Sequence, residues 1–217
     1  MTVETSSKLE ILRRIREANH TSSGEEAARN GWKAVPRNYK RARVHQKEVM
    51  LDLLEDRLQE YDATVIRSGR DHIAHHVALR LEERRKNRLV IPAGISAGWL
   101  PAGFEFVLDD GLTFKELDAL DGVLTGSALA IAETGTIVLQ NLDGQGRRAI
   151  SLVPDYHLCL VCTEDVVETV PEAMRWLQHT ATLATTFISG PSATADIEMT
   201  RIKGVHGPRT LDVILYA

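Results

Sequence analysis

The chain has 217 residues, enough for one domain or one domain with an appendage, and its 43% apolar and 26% charged residues are ordinary for a soluble globular protein. No apolar run approaches the roughly 20 residues of a membrane span, and Met1–Lys8 has no signal-peptide core, so a cytoplasmic protein is expected. The net charge of −4 is unevenly spread, with 19 basic and 14 acidic side chains in residues 1–90 against 7 and 16 in the remainder, which implies an anionic partner or two halves that attract each other.

Leu9, Ile11, Leu12 and Ile15 predict an amphipathic helix over residues 7–18. Residues 19–40 are polar, broken by glycine and proline, and read as a long connection. From Arg29 to Lys47 there are seven basic residues and no acid, with Trp32 and Tyr39 between them. Basic and aromatic interleaving is one mark of nucleic-acid binding, but no nucleic-acid fold motif accompanies it. The preferred reading is an arm that packs its aromatics on the body or on a neighbouring subunit, with a lid over an anionic substrate as an intermediate. Residues 42–60 predict a second helix whose apolar face includes Val44, Leu51, Leu54 and Leu58. A strand at 63–66, a helix at 71–86, strands at 89–92 and 104–108 and a helix at 113–120 follow. That alternation is the mark of a parallel sheet with helices on its faces. Thr113 and Glu116 predict a capping box. His72, His75 and His76 share one helix but lack an HExxH pattern, and read as partly solvated rather than metal-binding. Pro92–Gly98 is a turn at a strand end that can also line a pocket.

Strands at 128–131 and 136–139 flank Glu133-Thr134-Gly135, where Gly135 supplies a positive φ. Glu133 is then held at a strand end beside two hydroxyls. It can act as base or nucleophile if its pKa is tuned, or simply bond the N–H groups of its turn. Asp143–Gly146 reads as an exposed hairpin-like turn, and its G-x-G lacks the third glycine of a dinucleotide site. Arg147 and Arg148 after it are either solvated or meet an anion. His157, at the mouth of a strand over 157–162, is an acid/base candidate or a satisfied structural histidine. Cys159 and Cys162 lie three apart on that strand and face opposite sides, so they read as buried thiols rather than ligands of one metal. An iron–sulfur cluster needs more cysteines than this chain has. A helix over 164–178 and a buried strand over 181–188 complete the run.

The polar stretch Ser189–Glu198, closed by Gly204–Pro208, separates that strand from a last one at 211–216. Gly190-Pro191 stops the strand, and Ser192 or Thr194 can cap a short helix whose free N–H groups cradle an anion. Asp196 and Glu198 occupy the same electrostatic niche. His206 lies between Gly204 and Gly207. Ser192 with His206 suggests a hydrolase, but no GxSxG elbow is present. A strand, a glycine-rich turn and a second strand is how an α/β protein builds a site at its strand ends.

SGPSATADIE (189–198) followed by GVHGP (204–208), with AETGTIVL (132–139) upstream, resembles the signature of the LUD-domain proteins, the lactate-utilisation protein C family. The resemblance covers roughly residues 60–217, taken as one domain-sized unit. It implies a three-layer α/β/α fold with a mostly parallel sheet, similar to the CoA-transferase and sugar-phosphate-isomerase superfold. It also implies a part in oxidising L-lactate to pyruvate beside two partners that carry iron–sulfur clusters. This chain resembles the short, cluster-free member. In CoA transferases of the superfold a glutamate is the covalent nucleophile, a role that fold analogy carries to Glu133.

The leading expectation is an accessory or substrate-handling subunit of a lactate-oxidising system. Its pocket would be lined by Glu133, Thr134, Gly135, Thr136, Gly190, Ser192, Thr194, Asp196, Glu198, His206 and Gly207, and would take a small carboxylate or other anion. An acyl- or CoA-transferring or isomerising enzyme using Glu133, and a small-anion sensor, are the alternatives. N-terminal helices and a basic arm over 1–60 would precede an α/β domain over 61–217. No metal and no cofactor is expected on this chain, with iron–sulfur clusters on its partners. Neither nucleic acid nor a membrane span is expected, and a homo-oligomer stays open.

Overall fold

The computed structural model describes residues 3–18, 25–194, 202–203 and 207–217, and the chain divides into two compact units, Met1–Tyr39 and Lys40–Ala217. The first holds α1 (Val3–Ala18) and α2 (Glu25–Ala34). On α1, Arg13 bridges Glu10 and Glu17 along a solvated face. Polarity predicts a connection across 19–40, yet Glu25–Ala34 is helical. Two glutamates sit where the helix dipole favours acids, alanines supply helix propensity, and Pro36 follows as a stop. Arg37 lies over the exposed Trp32 ring at 4.8 Å, a cation–π contact within this unit.

The second unit is built on a six-stranded, all-parallel sheet. Its strands are β1 (Thr64–Ser68), β2 (Arg88–Ile91), β3 (Glu105–Leu108), β4 (Gly122–Thr125), β7 (Tyr156–Cys162) and β12 (Thr210–Tyr216), in the spatial order β1-β12-β7-β4-β2-β3. The central strands are buried on both faces, as parallel strands under helices must be. Alternation sorts their side chains. Tyr156, Leu158, Leu160 and Ile214 meet α4 (Ile73–Arg84) through Ile73, Val77 and Leu81. Cys159, Val161, Leu211, Val213 and Leu215 point the other way, into a core with Met50, Leu51, Leu54 and Leu58 of α3 (Lys47–Glu60). That second face also takes a four-stranded sheet, β8-β5-β6-β9, of β5 (Leu129–Ile131), β6 (Thr136–Gln140), β8 (Val166–Val167) and β9 (Thr185–Ile188). Its far side carries α6 (Val170–Leu177) through Ala173 and Leu177. The short α5 (Phe114–Asp118) opens with the Thr113–Glu116 capping box. A two-stranded pair, β10 (Ala193–Thr194) with β11 (Ile202–Lys203), lies between β9 and β12 in the chain.

Several local expectations change. β4 falls where the pattern reads only a helix end near Gly122. It is four residues long and wholly buried, and a Cβ at Gly122 would come 2.8 Å from the Tyr156 carbonyl oxygen. The helix expected over 164–178 begins only at Val170, because Thr169 and Glu172 form a capping box with Pro171 in the first turn. The residues before it pair as β8 with β5. Val170 and Met174 on this helix are exposed. The strand expected over 181–188 is confined to Thr185–Ile188 and lies at a sheet edge, with Phe187 exposed. The Asp143–Gly146 turn is no exposed hairpin: Gln145 is buried, and its side-chain oxygen accepts the Gln140 N–H at 2.7 Å. After Pro191 the backbone is extended as β10 where a helix start is expected at Ser192.

Asp212 lies fully buried on β12. Arg84 donates to both of its oxygens, at 3.0 and 2.7 Å, and the Tyr156 hydroxyl donates at 3.0 Å. Arg84 also reaches Thr64 on β1, so the network ties α4 to β1, β7 and β12. Arg84→Ala is expected to lower unfolding free energy by roughly 3–5 kcal/mol, because it strands a buried carboxylate. Chemical denaturation checks it.

Candidate functional site

Two glycines far apart in sequence meet the same helix end. Gly135 (φ 58°) closes the turn between β5 and β6, and a Cβ there would lie 2.7 Å from Arg57 Cβ and 2.9 Å from the Arg57 carbonyl carbon. Gly190 (φ 84°) follows β9, and a Cβ there would overlap Tyr61. Both positions combine a left-handed backbone with the last turn of α3, which only glycine accommodates. β6 and β9 pair antiparallel, with Ile137 opposite Ile188. That register sets the Thr136 hydroxyl 2.8 Å from the Ser189 hydroxyl, and Thr134 joins the chain at 2.7 Å. The segments around 133–136 and 189–192 therefore converge.

Beside Gly190 a cleft of about 260 Å³ opens. Residues Phe187 to Ala193 line it, with Gly207, Pro208 and Leu211 and with Arg148, Ser151 and His157. It lies on the α3 face of the main sheet, near the amino ends of β7 and β12 and the carboxyl end of β9. Open α/β sheets usually bind ligands beyond the carboxyl ends of their parallel strands. Ser192 N–H donates to the Pro208 carbonyl at 2.8 Å, which joins the two glycine–proline turns.

His157 is only 1% exposed. Its Nε2 lies 2.8 Å from the Thr125 hydroxyl. Burial pushes its pKa down to about 4, and the nearby Arg148 charge acts in the same direction. Of the arginine pair after the Asp143–Gly146 turn, Arg147 is occupied by the half-buried Asp109 at 2.7 and 2.8 Å. Arg148 donates to Ser151 at 3.1 Å, and among the described residues no carboxylate pairs with it.

Glu133, Thr134, Gly135 and Thr136 do not line this cleft. Glu133 is 44% exposed and stands 3.5 Å from the Lys40 ammonium. Lys40 also bonds Glu168, whose carboxylate is fully buried. Glu168 accepts the Val44 and His45 N–H groups, each at 2.8 Å, and the His45 ring lies at 2.7 Å. Withdrawal from water opposes its ionisation, but Lys40, these N–H groups and the His45 ring hold its pKa down at about 2. Glu172 accepts the Arg43 N–H, and Arg175 donates to the Arg41 carbonyl. Residues 40–45 are thus a strap laid over the start of α6, so part of the basic stretch meets acids of its own chain. The helix expected from residue 42 begins only at Lys47 for this reason.

Asp196, Glu198 and His206 lie outside the described residues, as does the Thr194 side chain. Pattern reading missed Thr125, Ser151, Lys40 and Glu168: lone polar residues in apolar or basic runs carry no spacing signal. Cys159 and Cys162 are free thiols, and burial pushes the Cys159 pKa up to about 12. Among the described residues no group of three histidines, cysteines or carboxylates is placed to hold a metal ion, and no helix is long and apolar enough to cross a membrane.

A family model described as the LUD domain matches residues 10–216. Lactate utilization protein C of Deinococcus radiodurans is 39% identical over 211 residues, covering 96% of this chain and 94% of that protein. Lactate utilization protein C of Shouchella clausii is 33% identical over 105 residues, 46% of this chain and 45% of that protein. The crystal structure of a DUF162 family protein from Deinococcus radiodurans superposes with a TM-score of 0.70 at 35% identity, covering 80% of this chain and all of that one.

The two low pKa values set an acid limit on stability. His157 is held neutral in the fold, so its contribution is complete above the unfolded value near 6.5 and is lost as pH falls toward 4. Glu168 adds a contribution that is complete above about 4.5 and lost as pH falls through 2. Unfolding free energy is expected to drop by on the order of 3 kcal/mol through the His157 window. Denaturant melts between pH 7 and 4 check this, and His157→Gln should flatten that part of the profile.

Proposed function

The chain belongs to the LUD domain family, and on that premise we propose that it serves lactate utilisation as a substrate-handling subunit that carries no iron–sulfur cluster itself. The observation that carries this reading is the cleft beside Gly190, lined by residues 189–193 and 207–208 of the family-like motifs and braced by Thr136 through Ser189. Gly190, Ser192 and Gly207 shape its wall, and Thr134 and Thr136 brace it through Ser189. Its volume lies below the roughly 300–1,000 Å³ of pockets for drug-sized ligands, which suits a small carboxylate. Two cysteines are too few to hold a cluster, so electrons from the oxidation pass to cluster-bearing partners in the cytoplasm.

The Lys40 pair supports reading Glu133 as a group that fastens the strap rather than as an acyl nucleophile. Two results are expected. The full chain, tagged and recovered from its native cell, co-purifies with iron and acid-labile sulfide, whereas the chain expressed alone carries neither. Glu133→Gln supports growth on L-lactate as the native chain does. Recovery without any iron–sulfur protein, or a covalent adduct on Glu133 after incubation with acyl-CoA, contradicts the reading.

A further inference from the structure

Two polar groups in the cleft keep hydrogen-bonding capacity that the described residues do not use. Arg148 is exposed, and among the described residues its guanidinium bonds Ser151 and meets no carboxylate. The His157 ring lines the cleft, almost wholly buried, with Nε2 engaged by Thr125 and no partner on Nδ1 among the described residues. That leaves Nδ1 for a group that enters the cleft.

The neighbours of Thr125 decide which ring nitrogen carries the proton. Cys159, protonated because of its burial, spends its S–H on the Gly126 carbonyl at 3.6 Å. The Thr125 hydroxyl has two acceptors in reach, the Cys159 sulfur at 3.7 Å and His157 Nε2 at 2.8 Å. The imidazole nitrogen is nearer and the stronger acceptor, so the hydroxyl proton goes there. With Nε2 accepting, Nδ1 holds the hydrogen and presents a neutral N–H donor. The cleft therefore offers a guanidinium and an N–H donor with no acid of its own among the described lining residues.

We propose that Arg148 and His157 form a recognition site for one small monocarboxylate, with Arg148 pairing the carboxylate and His157 Nδ1–H donating to a ligand oxygen. This rests on the substrate-handling reading and adds to it the groups that make the contact. Guanidinium–carboxylate geometry favours the assignment of Arg148. A neutral donor beside a single cation suits one negative charge better than two.

Calorimetric titration of the full chain with L-lactate, pyruvate, acetate and inorganic phosphate tests the proposal. At least one carboxylate is expected to bind, more tightly than phosphate. Arg148→Gln is expected to weaken it at least tenfold, and Arg148→Lys less. Arg88→Gln, a loss of an exposed cation on β2 paired with Glu105, is expected to leave it unchanged. Long-range ¹H–¹⁵N correlation of the native chain gives a readout that needs no variant. The His157 ring should show the Nδ1–H tautomer, and its resonance should move on adding the carboxylate. Absence of binding to the native chain, equal affinity in Arg148→Gln, tighter binding of phosphate than of every carboxylate, or an unmoved His157 signal would each overturn the site. All four would leave co-purification with iron–sulfur proteins unaffected.

Discussion

The structure depends on the last turn of α3 lying directly against two backbones that carry no side chain. Gly135 and Gly190 touch Arg57 and Tyr61 at distances that no Cβ allows, and both hold φ values that other residues resist. That double approach fixes the turn after β5 and the turn after β9 relative to one helix. Antiparallel pairing of β6 with β9 then sets Thr136 against Ser189. The cleft lies just past Gly190, so its shape follows from backbone packing rather than from any one polar residue.

The segment from Lys40 to Lys47 accounts for part of the uneven charge along the chain. A basic stretch without acids looks like a surface for an anionic partner. Within the second unit, however, Lys40 and Lys47 meet Glu168 and Glu164, and Glu168 and Glu172 take backbone N–H groups of the strap. Glu168 can be buried because it accepts four hydrogen bonds, which outweigh the cost of removing it from water. The basic side chains used in this way are Lys40 and Lys47.

Much of the α/β core was legible in the sequence, because β1, β2, β3, β7 and β12 are apolar runs, most of them separated by helices. Gly135, a glycine between two apolar runs, reads correctly as the positive-φ turn. β4 was not legible: four buried residues after a helix look like the end of that helix. The start of α6 was hidden because Val166 and Val167 mimic a helical face while pairing as a strand. At the site, the convergence of the 133–136 and 189–192 segments follows from motif and alternation, but the separation of Glu133 from the cleft does not. Which strand face a side chain takes beyond a 3₁₀ turn depends on tertiary packing that no spacing records. Arg148 stands out from Arg147 only once Asp109 is seen to occupy its neighbour.

The central claim is that the space beside Gly190, rather than the surface around Glu133, receives the ligand. A crystal structure of the full chain grown with L-lactate tests this most directly. The account predicts ligand density between Arg148 and His157, bounded by Gly190 and Gly207. Ordered lactate against Glu133 and Lys40, with the cleft holding only water, would contradict it.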